Sequence, residues 1–221
     1  MKTQTFYSNG KLLITGEYVV LDGAKALALP TKFGQSLVIK PGTKEQIKWT
    51  SFDFDKSIWF ENIISFKEIR NKIVSDNNHA VKNTLIEILH QAFIQNSNFL
   101  EEEGYEMETH LTFPRLWGLG TSSTLINSIG EWLQIDAFEL LQKSFGGSGY
   151  DIACAKSDTP IVYYLEGEKP HFKAIHFKPT FKENIYFVYL NQKQSSKLAI
   201  ANYMSKHHHV TNVISKINTI I

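Results

Sequence analysis

The stretch Pro114-Arg-Leu-Trp-Gly-Leu-Gly-Thr-Ser-Ser-Thr124 follows an alternating apolar segment, residues 107–113, and precedes an apolar run that ends near residue 132. The alternation predicts a strand that stops at the proline, and the later spacing predicts a helix from about Thr121. Glycines let a backbone approach an anion closely, and free N–H groups at a helix N-terminus attract negative charge. The stretch therefore predicts a phosphate-binding loop that is not of the Walker A type, with a simple capped helix after a flexible turn as the alternative.

A second glycine cluster, Gly146-Gly-Ser-Gly149, is followed directly by Tyr-Asp-Ile-Ala153. The aspartate of this run, Asp151, precedes small apolar residues that are typical of a buried segment. A carboxylate in this position can accept a proton from an attacking hydroxyl, or it can cap the helix that follows. From this stretch alone, the cap is the simpler interpretation.

The third stretch runs from Gly10 to Gly23 and reads Gly-Lys-Leu-Leu-Ile-Thr-Gly-Glu-Tyr-Val-Val-Leu-Asp-Gly. Its two apolar runs, residues 12–14 and 18–21, predict two short strands joined by a glycine-containing turn. Lys11 opens the first strand, where a lysine either reaches a phosphate or only provides solubility. Glu17 lies in the predicted turn and is equally consistent with a plain turn residue.

Elsewhere the chain mixes strand and helix patterns without strict βαβ alternation, which predicts an α+β fold. Asp136 is a predicted N-cap. The other predicted strands cover residues 36–40, 47–54, 58–60, 160–165, 171–177 and 184–190. The other predicted helices cover residues 78–95, 137–144, 195–204 and 210–220.

Composition excludes several classes of protein. The 221 residues carry 23 Lys+Arg against 22 Asp+Glu, a formal charge of +1 that argues against nucleic-acid or anionic-membrane partners. The one cysteine, Cys154, forms no intramolecular disulfide and is expected to be a small core residue. The polar N-terminus and the lack of a long apolar run predict a cytoplasmic protein.

The three stretches, in this order, resemble the motifs of the GHMP kinase family, which is named for galactokinase, homoserine, mevalonate and phosphomevalonate kinases. Residues 10–23 resemble the first motif, residues 118–124 the phosphate loop, and residues 147–153 the segment with the catalytic aspartate. The run Gly-Tyr-Asp-Ile-Ala is similar to a hallmark of a bacterial subfamily. The resemblance implies the α+β GHMP kinase fold, with an N-terminal ATP-binding and catalytic domain over residues 1–182 that is similar to a ribosomal protein domain. It also implies a truncated ferredoxin-like C-terminal domain over residues 183–221.

The resemblance also implies a reaction, the transfer of the γ-phosphate of ATP to a hydroxyl or phosphate of a small metabolite, with Mg²⁺. Asp151 matches the aspartate that orients or deprotonates the acceptor hydroxyl. Lys11 matches the lysine that lowers the hydroxyl pKa or neutralises phosphate charge. The implied ATP-binding residues are Trp117, Gly118, Leu119, Gly120, Thr121, Ser122 and Ser123. The implied metal ligands are Ser122 and Glu139, with Gln142 as the alternative to Glu139. The implied substrate-binding residues are Glu17, Tyr18, Ser148 and Gly149.

Two features depart from the family pattern or leave alternatives open. Gly167 is the last glycine, so the later residues lack the family's third glycine-rich motif. The apolar ending, residues 213–221, predicts a helix that packs on a dimer partner or on a missing half of the protein. The alternative function is a non-catalytic nucleotide or metabolite sensor, and the closest acceptors by resemblance are mevalonate and phosphomevalonate. Three consecutive histidines, His207 to His209, point in different directions, which favours a solvated loop over a metal site.

Overall fold

A mixed β-sheet of seven strands forms the centre of the fold. A computed structural model of the chain describes residues 2–74, 79–101, 103–192, 196–206 and 210–221. The strands are β1 (Gln4–Leu13), β2 (Ala26–Pro41), β3 (Gln46–Phe52), β4 (Ile58–Ser65), β5 (Tyr105–Leu111), β6 (Ile161–Glu166) and β7 (Lys169–Ala174). Their order is β4-β3-β5-β2-β6-β7, and β1 pairs with β2. Every pairing is antiparallel except that of β3 with β5.

The long central strand β2 determines how the other strands are placed. It spans 16 residues and pairs with β1 along almost its whole length. Its other edge pairs with β6 over residues 26–28 and with β5 over residues 35–41. Strand β1 is therefore held against the same element as β5, the strand that leads into the predicted phosphate loop.

Seven α-helices complete the described part of the chain. They are α1 (Phe66–Arg70), α2 (Ala80–Gln95), α3 (Thr121–Leu133), α4 (Ala137–Ser144), α5 (Tyr150–Ala155), α6 (Ser196–Met204) and α7 (Thr211–Ile220). The Asp136 side chain accepts the N–H of Phe138 and caps α4, as predicted. No helix in the described residues is both long and apolar enough to cross a membrane.

The main core forms where α2 and α3 pack on the sheet. Alternate residues of β5 are buried, which gives the strand one core face. Leu89 of α2 and Ile126 and Ile129 of α3 are fully buried in the same cluster as Met107 of β5. Each such large apolar side chain contributes roughly 1.5–3 kcal/mol through burial. This packing fixes α3, the helix that follows the predicted phosphate loop, against the sheet.

The α+β prediction is confirmed, but two predicted strands are wrong. Residues 19–22 form a single 3₁₀ turn, because the chain must reverse between the antiparallel strands β1 and β2, and Gly16 and Gly23 bracket the reversal with φ values of 89° and 90°. Residues 184–190 form no strand, since strand formation depends on a pairing partner and none lies beside them within the described residues. The division into domains at residue 182 stays a prediction. His207 to His209 lie outside the described residues.

A buried polar cluster joins β1 to α3. The hydroxyl oxygens of Ser8 and Ser128 lie 2.9 Å apart, and Asn127 Nδ2 donates to Ser8 Oγ at 3.0 Å. All three residues are buried. Because buried polar groups are stable only when they are paired, this cluster fixes the position of β1 beneath the helix.

We predict that Ser8→Ala lowers the free energy of unfolding by about 1–3 kcal/mol, because it removes a buried hydroxyl that pairs with Ser128 and accepts one of the two hydrogen bonds of Asn127 Nδ2. Urea denaturation measures this change. Gln4→Ala, an exposed position in the same strand, is the control and should change stability by less than about 0.5 kcal/mol. Equal effects of the two substitutions would contradict the role assigned to the cluster.

Candidate active site

The predicted phosphate loop has a conformation that requires its glycines. Gly118 and Gly120 adopt φ values of 77° and 93°, a region that other residues rarely occupy. A Cβ on Gly120 would also lie 2.8 Å from Ser123 Oγ and 3.2 Å from Lys11 Cγ. The loop is therefore closed tightly over the side chain of Lys11, and α3 begins at Thr121 as predicted.

Hydroxyl groups at the start of α3 divide into two sets. The buried hydroxyls of Ser123 and Thr124 both lie within hydrogen-bonding distance of Gly120 O, at 2.9 and 3.1 Å, and so hold the loop. The half-buried hydroxyls of Thr121 and Ser122 make no hydrogen bond within the described residues. The first helical bond runs from the N–H of Thr124 to Gly120 O at 3.1 Å, which leaves the earlier N–H groups for an anion.

Lys11 joins the predicted phosphate loop to the second glycine cluster, residues 146–149. Its backbone N–H donates to Leu119 O at 3.0 Å. Its side-chain Nζ donates to the hydroxyl of Tyr150 at 2.7 Å and lies 5.0 Å from the centre of the tyrosine ring. Lys11, in the stretch of residues 10–23, thus contacts both the loop before α3 and the start of α5.

The electrostatics of this group depend on burial and on neighbouring charges. Burial lowers the pKa of the Lys11 ammonium, but Tyr150 and the carboxylates of Asp151 and Glu17 outweigh it, and the net pKa is raised. Burial raises the pKa of the Asp151 carboxyl, and the positive charge of Lys11 opposes only part of that rise. Burial also raises the pKa of Tyr150 to about 12. The lysine is therefore a permanent cation beside a carboxyl group that holds its proton more strongly than usual.

Asp151 does not cap the helix, so that alternative is wrong. The N-cap of α5 is Gly149, with φ 88°, and Asp151 lies in the first turn, where its Oδ1 accepts the N–H of Ile152 at 3.1 Å. A Cβ on Gly149 would lie 3.0 Å from Phe138 Cδ1. The hydroxyl of Tyr163 donates to the backbone oxygen of Ser148. Phe138 and Tyr163 thus hold the turn at Ser148 and Gly149, which fixes the direction in which α5 begins.

The turn after β1, with Glu17 and Tyr18, lies under α6. Tyr18 has a positive φ of 61°, and its ring stacks on that of Tyr203 at a centroid distance of 5.4 Å. The Tyr203 hydroxyl donates to Asp22, and Ile200 would lie 3.8 Å from a Cβ placed on Gly147. We did not anticipate Ile200 or Tyr203, because nothing in a short amphipathic helix indicates which distant turn it will contact.

The other predicted residues are less closely associated with this group. The Trp117 ring packs on those of Phe33 and Tyr189, at 5.6 and 4.8 Å. Leu119 is buried. Glu139 is exposed on α4, and no cluster of three or more His, Cys, Asp or Glu side chains suited to a metal occurs within the described residues. Glu139 as a metal ligand stays a prediction.

Cys154 lies in α5, three residues after Asp151. It is fully buried. Burial, with a smaller contribution from the nearby charge of Asp151, raises its pKa to about 12. A thiol with so high a pKa is unreactive at neutral pH, and the prediction of a core residue is confirmed.

A cavity of about 150 Å³ begins at the start of α3 and extends between the sheet and α2. Thr121 and Ser122 line its edge, and the rings of Trp49 and Trp59 form part of its wall. The guanidinium carbon of Arg115 lies 4.7 Å from the centre of the Trp59 ring. Its other lining residues are Gln35, Ser51, Val81, Thr84, Leu85, Ile88, Thr109, Leu125 and Phe145. They come from separate strands and helices, so no local motif revealed the cavity in the sequence.

Neither a family model nor a curated protein matches the sequence. Solved structures do match the fold. Mevalonate kinase from Methanococcus jannaschii is 16% identical, with a TM-score of 0.64 over 99% of this chain and 71% of that one. Phosphomevalonate kinase from Streptococcus pneumoniae is 12% identical, with a TM-score of 0.60 over 98% and 74% of the two chains. Galactokinase from Lactococcus lactis is 15% identical, with a TM-score of 0.57 over 80% and 48%. The chain therefore has the fold of GHMP kinases.

We predict that Asp151→Asn stabilises the protein at pH 7. Because the pKa of Asp151 is raised on folding, the folded protein binds more protons than the unfolded chain between the ordinary and the raised pKa. Stability therefore falls as pH rises through this window. The stability gained by the variant should be largest at neutral pH and should shrink as pH falls toward about 4.

Chemical denaturation of the two proteins at a series of pH values measures this difference. Asp158→Asn, which replaces an exposed carboxylate, is the matched control and should change stability by less than about 0.5 kcal/mol. If Asp151→Asn were less stable than the unaltered protein at pH 7 and equally stable at pH 4, the pKa of Asp151 would be lowered on folding, which would contradict the raised pKa described above.

Proposed function

We propose that the chain is a GHMP-type kinase that transfers the γ-phosphate of ATP to a hydroxyl or phosphate of a small metabolite. The observation that carries this proposal is the convergence of three parts on one place. Lys11 contacts the phosphate loop through Leu119 and Gly120, and it contacts the start of α5 through Tyr150, next to Asp151. Phosphoryl transfer requires mainly positioning and charge stabilisation, which these parts supply.

In this proposal the phosphates of ATP bind the N–H groups at the start of α3. The cavity that begins at Thr121 and Ser122 then receives the base. Its two tryptophans, Trp49 and Trp59, provide flat apolar walls that suit a planar ring. Trp117 lies just before Gly118 of the predicted phosphate loop, and its ring already packs on the rings of Phe33 and Tyr189. We therefore propose that Trp117 holds the loop in place and does not stack on the base.

The proposed reaction uses Asp151 as the base. The acceptor oxygen attacks the γ-phosphorus, its proton passes to the Asp151 carboxylate, and the bond from the γ-phosphorus to the bridging oxygen breaks to release ADP. The raised pKa of Asp151 makes its carboxylate a better proton acceptor than an exposed aspartate. The charged Lys11 stabilises the negative charge that spreads over the transferred phosphoryl group.

A magnesium ion, when bound with the nucleotide, would neutralise part of the phosphate charge. Ser122 fits the role of a ligand because its hydroxyl lines the cavity edge and has no partner within the described residues. Glu139 is the proposed carboxylate ligand, since its exposed side chain likewise has no partner in the described part of the chain.

For the acceptor we propose the space beside Glu17, Tyr18, Ser148 and Gly149. Mevalonate and phosphomevalonate are the first candidates, because kinases named for both share the fold. A cytoplasmic location, a homodimer, and action without nucleic acid or membrane stay predictions. The sensor alternative uses the same nucleotide site without turnover.

The proposal predicts acceptor-dependent conversion of ATP to ADP by the purified protein with Mg²⁺, measured with mevalonate, phosphomevalonate, homoserine and galactose. Asp151→Asn should lower the turnover rate by roughly 10²–10⁴-fold, since it removes the base. Asp158→Asn, at an exposed site, should leave the rate unchanged. Binding of ATP with no turnover for any acceptor would favour the sensor, and near-normal turnover by Asp151→Asn would remove Asp151 from the mechanism.

Two neighbouring serines allow the proposed metal ligand to be tested. Ser122→Ala should raise the Mg²⁺ concentration for half-maximal turnover by roughly tenfold or more, without a loss of stability. Ser123→Ala should instead destabilise the protein, because it removes the hydroxyl that bonds Gly120 O. If Ser122→Ala keeps the magnesium dependence of the unaltered protein, Ser122 is not a ligand.

A further inference from the structure

One polar side chain in the cavity is buried without full pairing. Gln35 lies on β2, opposite Ser8 of β1 and Leu111 of β5, and only 4% of its surface is exposed. Its Oε1 accepts a hydrogen bond from Thr124 Oγ1 at 2.9 Å, in the first turn of α3. Its side-chain NH₂ group makes no hydrogen bond within the described residues.

The other polar groups on this face of the sheet are largely paired among themselves. Thr109 Oγ1 donates to Ser51 Oγ at 2.9 Å, and Trp49 Nε1 donates to the same oxygen at 3.1 Å. Besides the hydroxyls of Thr121 and Ser122 on α3, Trp59 Nε1 is a further donor of the cavity lining without a partner in the described part of the chain, and it is sealed from solvent. Gln35 is therefore an unpaired polar side chain of the sheet that is also bonded directly to the phosphate-binding helix.

The surroundings of the Gln35 amide indicate what it pairs with. The unpaired NH₂ group of Gln35 is not sealed from solvent, since its side chain lines the cavity, so a ligand in the cavity can pair with it by supplying a hydrogen-bond acceptor. The aromatic walls of the cavity favour a flat ring. A heteroaromatic ring with acceptor atoms on its edge meets both requirements, and a nucleobase has this chemistry.

We infer that Gln35 determines the specificity of the nucleotide site by binding the edge of the base, while its carbonyl oxygen stays on Thr124. This inference rests on the proposed function. Gln35 would then recognise the base and not the phosphates. Thr124 Oγ1 also lies 3.1 Å from the carbonyl oxygens of Gly120 and Thr121, so it keeps acceptors when Gln35 is replaced.

The test compares a ligand that carries the base with one that lacks it. Calorimetry would measure binding of ATP and of inorganic tripolyphosphate, each with Mg²⁺, to the unaltered protein and to Gln35→Met. Gln35→Glu is a second variant, which keeps an oxygen for Thr124 and loses the NH₂ group. Gln4→Met, the same change at an exposed position of β1, is the matched control, and thermal unfolding verifies that each variant is folded.

We expect both Gln35 variants to bind ATP about tenfold more weakly. The neutral Gln35→Met should leave tripolyphosphate binding unchanged, and Gln4→Met should bind both ligands like the unaltered protein. An equal loss for ATP and tripolyphosphate would overturn the inference, because Gln35 would then only position the loop. Unchanged ATP binding by Gln35→Met would overturn it too. Failure of the unaltered protein to bind ATP would overturn the proposed function itself, and the inference with it.

Discussion

The backbone hydrogen bond from Lys11 to Leu119 is the contact on which the site depends. It joins β1 to the loop that precedes α3, over a distance of more than a hundred residues in the sequence. The cluster of Ser8 and Ser128 supports it from within the core, and the absence of a Cβ at Gly120 lets the loop lie against the Lys11 side chain. Without this junction the lysine and the helix N-terminus would have no fixed relation to each other.

The cation at this junction fixes the third part of the site. Lys11 Nζ bonds Tyr150, the first residue of α5, and Asp151 follows directly. Burial opposes charge on both Lys11 and Asp151, and their mutual attraction offsets part of that penalty. Buried, oppositely charged groups with shifted pKa values are common in active sites, where the groups that catalyse the reaction lower the stability of the fold. The glycine in the turn before α5 is required separately, because Gly149 has a φ of 88° and a Cβ there would lie 3.0 Å from Phe138 Cδ1.

The parts of the structure that follow from local pattern were predicted well. Helices α3 and α4 begin at Thr121 and Ala137 as expected, because a glycine turn and an aspartate cap are short-range signals. The strand expected over residues 18–21 is a turn, and the one expected over residues 184–190 is absent, because both depend on pairing with distant residues. The large apolar side chains of residues 185–190 are instead exposed.

The site follows the same division. The three motifs predict Lys11, a phosphate loop and Asp151 as site residues, since each lies in a short stretch with its own spacing, and their roles stay predictions. Tyr150 as the partner of Lys11 and Gln35 in the cavity were not foreseen, because both roles arise only when separate elements meet. The sheet order that places β2 between β1 and β5 is what brings Gln35 beside α3.

The most direct test of the central claim is a crystal structure of the protein with Mg²⁺ and a non-hydrolysable ATP analogue. We expect the triphosphate at the N–H groups of Thr121 to Ser123, with the γ-phosphate close to Lys11 and on the side of Asp151. We also expect the base in the cavity between Trp49 and Trp59. A nucleotide bound elsewhere, or one whose γ-phosphate lies far from Asp151, would contradict the claim that these motifs form one phosphoryl-transfer site.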